Sequence, residues 1–260
     1  MNNVNKAKLH VEVQGQGADL VVLHGWGVNN AVFSSLKHEL ADYRVHYVDL
    51  PGFGHSPSID GDINAWVEAL VSALPSSAIW LGWSLGGLVA KQAAISYPDK
   101  VRALVTVASS PCFMAREIEN WPGIAPKVLA QFSSQLGSNL PKTLDRFLAI
   151  QAMGSDTMKQ DLTELKQLLL DKPLPQAQAL EQGLAMLAQV DLRQELAKIS
   201  QPWLRFWGRL DGLVPQKIQA HLPHGSQIED VIQHKASHAP FISHQQEFSQ
   251  HLLTWLAKQQ

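Results

Sequence analysis

The chain has 260 residues, 45% hydrophobic and 17% charged, a length that holds one large domain or a core with an insertion and a composition that excludes disordered, fibrous and coiled-coil proteins. Its 21 Lys plus Arg against 23 Asp plus Glu leave a net charge of -2, with no overall pull toward nucleic acid or an anionic membrane. The single cysteine, Cys112, excludes an internal disulfide framework and a cysteine-based zinc site and fits a reducing compartment.

Residues 1–6 lead directly into an alternating pattern, without the apolar stretch of a secretory signal. Apolar runs stay well short of the roughly 18 residues that span a bilayer, so the expected location is the cytoplasm. Leu9, Val11 and Val13 alternate with polar residues, as in a half-exposed antiparallel edge strand, and the turn at residues 14–17 is expected to fold it as a hairpin onto the next strand. Short β-branched runs then recur at 20–23, 45–48, 78–81, 103–107, 202–207 and 227–232, with helical segments between them. That alternation predicts an α/β fold with a mostly parallel sheet covered by helices on both faces. Between 108 and 191 the rhythm breaks into helical periodicity. Helices are expected from Pro126, Pro141, Ser155 and Pro175, with Met158, Leu162, Leu165 and Leu169 as one apolar stripe. We therefore divide the chain into a core of 1–112 and 186–260 and an all-helical lid of 113–185.

The strongest chemical signal is Gly82-Trp83-Ser84-Leu85-Gly86, a G-x-S-x-G run between a strand and a helix. Its glycines allow a tight turn that exposes the Ser84 hydroxyl, and the helix start behind it favours developing negative charge. A serine nucleophile needs a base. His238 follows the last strand, whereas His234 is expected on the polar surface and His244 inside the following helix. Asp211, in the turn after 202–207, gives the chain order Ser, Asp, His and would hold the imidazole tautomer. The oxyanion donors expected are the backbone N–H groups of Leu85 and of Trp26, the latter in His24-Gly25-Trp26-Gly27; His24 itself reads as a hydrogen-bonded structural histidine. The loop at 49–56 lacks the third glycine of a dinucleotide fingerprint.

Together these residues resemble the α/β-hydrolase superfamily. HGWG at 24–27, LGWSLGG at 81–87, RFLAIQAMG at 146–154, WGRLDGLVP at 207–215 and SHAPFISH at 237–244 are more specific. They resemble the BioH family, the pimeloyl-[acyl-carrier protein] methyl ester esterases of biotin synthesis. The resemblance implies an α/β-hydrolase fold and hydrolysis of that methyl ester without metal or cofactor. It further implies substrate contacts from Trp26, Ser84, Leu85, Phe147, Leu148, Ala149, Ile150, Gln151 and His238. The implied partner is the acyl carrier protein, docked on Lys142, Arg146, Lys159 and Lys166, with small esters as side substrates and no nucleic acid or membrane. The same scaffold supports a short-chain carboxylesterase, a thioesterase, a carbon-carbon bond hydrolase, or a binding protein that keeps its triad. Dehalogenases and epoxide hydrolases of this fold carry aspartate at the elbow, where this chain has Ser84.

Overall fold

The computed structural model describes residues 8–137 and 139–259; the N-terminal stretch 1–6 lies outside them. Strands β1 (Val11–Gln14), β2 (Asp19–Leu23), β3 (Arg44–Val48), β4 (Ala78–Trp83), β5 (Val101–Val107), β6 (Trp203–Gly208) and β7 (Ile228–Gln233) form one sheet. Their order is β1-β3-β2-β4-β5-β6-β7, and only the β1 to β3 pairing is antiparallel. The continuous apolar runs occupy the middle. Every residue of β4 and β6 is buried, because parallel strands carry helices on both faces. Helices α1 (Ile63–Ala73) and α2 (Leu85–Ser96) pack together, and α2 lies on β4 and β5. Asp62 caps α1 by accepting from the N–H groups of Asn64 and Ala65.

The expected hairpin between β1 and β2 does not form. Both edges of β2 are taken by β3 and β4, and β1 instead pairs with β3, Val11 opposite Val48. With Val13 52% exposed, β1 suits the rim of the sheet. Four linking residues reach up to about 13 Å, enough to step across two strand spacings of about 9.6 Å in total. Gly15 (φ 76°) turns the chain where a Cβ would sit 2.2 Å from the Tyr43 carbonyl oxygen.

Between β5 and β6 lie α3 (Pro126–Leu136), α4 (Leu140–Ala152), α5 (Met158–Leu170) and α6 (Ala177–Gln189). An isolated bridge, Cys112 to Asp191, closes the base of this segment. Pro126 and Pro141 sit in first turns, as expected. Helix α5 starts three residues later than expected, since the Ser155 hydroxyl accepts from Thr157 N (3.2 Å) and forms a local turn that competes with helix. Its stripe is also displaced: Leu165 and Leu169 are buried, Met158 is exposed and Asp161 is buried. At the C-terminal end, α7 (Pro240–Ser243) and α8 (Gln245–Leu256) are separate, because His244 leaves helical backbone at φ -136° and ψ 47°. His244 thus lies between two helices and not inside one.

Strand order reverses between β2 and β4, with β3 on one side and β5 on the other. The crevice outside the carboxyl ends at such a reversal is where open α/β sheets bind ligands. Leu23 and Gly82 are paired there, which brings the loop at 24–27 beside the serine turn.

Candidate active site

Ser84 joins β4 to α2 with φ 53° and ψ -116°, a conformation that costs a non-glycine residue energy and that surrounding structure must hold. Two glycines make the turn possible. A Cβ on Gly82 would lie 2.3 Å from the Gly86 carbonyl oxygen, and one on Gly86 2.4 Å from that of Leu23. The Ser84 N–H donates to the Val107 carbonyl (2.9 Å), tying the turn to β5.

Asp211 follows β6 and His238 follows β7. The Ser84 hydroxyl lies 2.9 Å from His238 Nε2, and His238 Nδ1 lies 2.7 Å from Asp211 Oδ2. Asp211 Oδ1 accepts from the N–H groups of Leu213 (2.8 Å) and Val214 (3.0 Å), which leaves Oδ2 for the imidazole. An ionised carboxylate only accepts, so Nδ1 carries the proton and Nε2 is free to take the one on Ser84. Trp83 Nε1 donates to the His238 carbonyl (2.7 Å) and its ring lies against the imidazole. All three side chains are buried. His234 is exposed.

The two expected oxyanion donors border this serine. Leu85 is the first residue of α2, where an N–H has no partner within the helix, and the Trp26 N–H has no acceptor among the described residues. A Cβ on Gly25 would be 3.3 Å from Ser84 Cβ, so the 24–27 loop passes directly beside the hydroxyl. His24 is the structural histidine expected. Its Nε2 accepts from Leu50 N (2.9 Å), which puts the proton on Nδ1, donated to the Gly25 carbonyl (2.8 Å). Burial drives its pKa down to about 4 against the opposing pull of Asp49, so the ring is neutral.

Of the five α4 residues named from the sequence, Phe147 and Gln151 reach this centre. Phe147 packs on the Trp26 ring at 4.5 Å, and the Gln151 carbonyl accepts from His238 N (3.4 Å). Leu148 is buried; Ala149 and Ile150 are half-buried, without hydrogen bonds or ring contacts to the triad among the described residues. The four basic candidates differ. Lys166 is paired with Asp145 (3.0 Å), and Arg146 lies over the Phe132 ring while donating to Gln131 and Gln135. Lys142 and Lys159 have no ion pair among the described residues.

Sequence reasoning missed three contacts. The Ser237 hydroxyl donates to the Met153 carbonyl (2.6 Å), joining the histidine loop to the end of α4. Lys91 and Ser109 form a buried chain behind the nucleophile. Lys91 had a visible signal, since it follows Gly87 by four residues and precedes Ala94 by three, on the helix face that meets the sheet. A concavity lined by His10, Val11, His55 and Leu74 among others includes none of the triad. The candidate site is therefore defined by the hydrogen-bonded Ser84, His238 and Asp211.

A seven-stranded sheet of this order with a serine at the β4 turn defines the α/β hydrolases, and the family model for the alpha/beta hydrolase fold matches residues 20–245. Among curated relatives, a protein from Shewanella oneidensis is 64% identical over 96% of this chain and 95% of its own length. One from Aeromonas hydrophila is 53% identical over 92% and 95%. Each is named pimeloyl-[acyl-carrier protein] methyl ester esterase. In fold, the chain is similar to an esterase from Exiguobacterium antarcticum (TM-score 0.86, 22% identity, 98% and 97% covered) and an enol-lactonase from Burkholderia xenovorans LB400 (TM-score 0.83, 18% identity, 98% and 99% covered). The chain belongs to the α/β-hydrolase family and, within it, to the family of these curated esterases.

Proposed function

We propose that this chain is a serine carboxylesterase that removes the methyl group from the terminal ester of a pimeloyl-[acyl-carrier protein], in the cytoplasm, as a step of biotin synthesis. The observation that carries the reading is the Ser84, His238, Asp211 relay, with bonds of 2.9 and 2.7 Å, in a chain 64% identical to a relative named for that activity. In this reading segment 113–185 is a lid. The acyl chain runs beneath it along Trp26, Phe147 and Leu148, while the carrier protein rests outside on Lys142, Arg146, Lys159 and Lys166. A neutral methyl ester enters such an apolar passage readily, and the carboxylate produced is costly to keep there, which favours release.

Ser84 Oγ attacks the ester carbonyl carbon as its proton passes to His238 Nε2, and Asp211 stabilises the imidazolium. The N–H groups of Trp26 and Leu85 hold the oxyanion. Collapse breaks the bond to the methoxy group, which leaves as methanol with the proton from His238. Water then attacks the acyl-enzyme, gives its proton to His238, and Ser84 departs with that proton as the free acid is released.

Mass spectrometry of a methyl pimeloyl-carrier protein, with wild type and Ser84→Ala side by side, tests this. The expected result is conversion of the ester to the acid with the thioester intact, in wild type alone. A surviving carrier substrate with a cleaved p-nitrophenyl ester would leave a general carboxylesterase and overturn the substrate assignment.

A further inference from the structure

Lys91 is fully buried in α2, away from solvent and from any carboxylate in hydrogen-bonding contact among the described residues. Its Nζ donates to Ser109 Oγ (2.8 Å), and Ser109 Oγ donates to the Ser84 carbonyl (2.7 Å). The direction is forced: the carbonyl only accepts, so the single hydroxyl proton of Ser109 is used there and Lys91 must supply the other bond. Gly87 makes this approach possible, since a Cβ there would lie 2.6 Å from Ser109 Oγ. The Gly87 and Leu88 N–H groups also donate to the Ser84 carbonyl, at 3.0 and 3.2 Å.

The Ser84 carbonyl and the Leu85 N–H belong to one planar trans peptide and point in opposite directions. We infer that Lys91 and Ser109 are positioning residues that aim the Leu85 N–H at the oxyanion by gripping the other end of its peptide plane. The end of β5 and the residues just past it hold Ser84 from both sides, Val107 through the Ser84 N–H and Ser109 through its carbonyl. Donation into a carbonyl also polarises its peptide and strengthens the N–H as a donor. Burial, reinforced by nearby Arg205, holds the amine well below the ordinary lysine range, so a neutral amine can donate here without the cost of a buried charge. A lysine kept in the core with one hydroxyl partner is a poor choice for stability alone, since an apolar side chain of similar length would fill the same space.

This inference rests on the ester-hydrolase reading, with Leu85 as an oxyanion donor. Its test compares Lys91→Met, Ser109→Ala and the double variant with wild type on a p-nitrophenyl ester and on a trifluoromethyl ketone, which forms a tetrahedral adduct with serine. Each variant is expected to lose about tenfold in kcat with KM within about twofold, and ketone affinity should fall by a matching factor. As members of one chain, the double variant should lose little more than either single variant. Lys91→Met should melt no lower than wild type, which separates positioning from support of the fold. Ser109→Ala alone strands a buried amine, so the double variant, which has none, decides the matter if that single variant folds poorly. Unchanged kcat and ketone affinity in the double variant, or losses that track melting temperature, would overturn the inference. A Ser84→Ala arm keeps the two readings apart: if it still turns over, the hydrolase reading itself falls, whereas an inactive Ser84→Ala beside an unimpaired double variant removes only the relay.

Discussion

His24 stands one loop from the nucleophile yet both of its nitrogens are committed to backbone, so it fixes the 24–27 loop and takes no part in proton transfer. With its folded pKa down at about 4 against 6.5, the unfolded chain binds the additional proton between those values. Stability therefore falls as pH drops from 6.5, by about 2 kcal/mol on reaching pH 5. Urea unfolding at pH 7 and pH 5 should show that loss in wild type and its absence in His24→Asn; parallel behaviour of the two proteins would contradict it. In the proposed reading Asp211, 2.7 Å from His238 Nδ1, fixes the tautomer of that imidazole, so Asp211→Asn should keep the fold and lower kcat by about 10⁴. A pre-steady-state assay that found acylation within tenfold of wild type would refute that role. Ser84, Asp211 and His238 were legible in the sequence because each sits just past a β-branched run, where the fold brings loops together. Lys91 left only its spacing to Gly87 and Ala94 as a signal, which a lone lysine in a helix, usually solvated surface, does not make conspicuous.

Two helices of the inserted segment were legible from the first-turn prolines Pro126 and Pro141, whereas the helix expected from Pro175 starts only at Ala177; how the segment docks was not legible, because docking depends on side chains distant in sequence. Lys172, in the turn after α5, is 9% exposed and reaches Glu12 (2.5 Å), Asn30 (2.7 Å) and the fully buried Asp49 (3.2 Å). Asn29 Nδ2 donates to the Leu169 carbonyl and Gln176 N to that of Gly52, so the same turn is held to the core on two further sides. Burial works to raise the Glu12 carboxyl, but Lys172 and Lys37 overcome it and hold the pKa at about 2. That contribution is complete above pH 4.5 and fades as pH falls toward 2. Lys172→Met leaves Asp49 buried without its cation and should cost about 3 to 5 kcal/mol in urea unfolding at pH 7. A loss under about 1 kcal/mol would show that the knot does not hold the segment to the core.

At the scale of the whole molecule, strand type was readable from hydrophobic patterning, whereas strand order was not. The hairpin turn at 14–17 has local chemistry that suits either a return onto β2 or a step across it; only competition for the edges of β2 decides. Charge poses the same kind of problem. A net charge of -2 gives the chain no strong long-range field, so in the proposed reading carrier docking on segment 113–185 rests on a few cations acting within a Debye length of about 10 Å at 0.1 M salt. Lys166 is already paired with Asp145, and Arg146 is engaged by Gln131, Gln135 and the Phe132 ring. Lys142 and Lys159, which have no such ion pair among the described residues, should therefore dominate. The KM for the carrier-bound ester is expected to rise severalfold between 50 and 300 mM salt, while that for a neutral p-nitrophenyl ester stays level. Lys142→Glu and Lys159→Glu should each raise the carrier KM more than Lys166→Glu, because reversing Lys166 first breaks an internal pair whose charge already cancels. A carrier KM indifferent to salt and to both reversals would place the docking surface elsewhere on the molecule and leave the triad chemistry untouched.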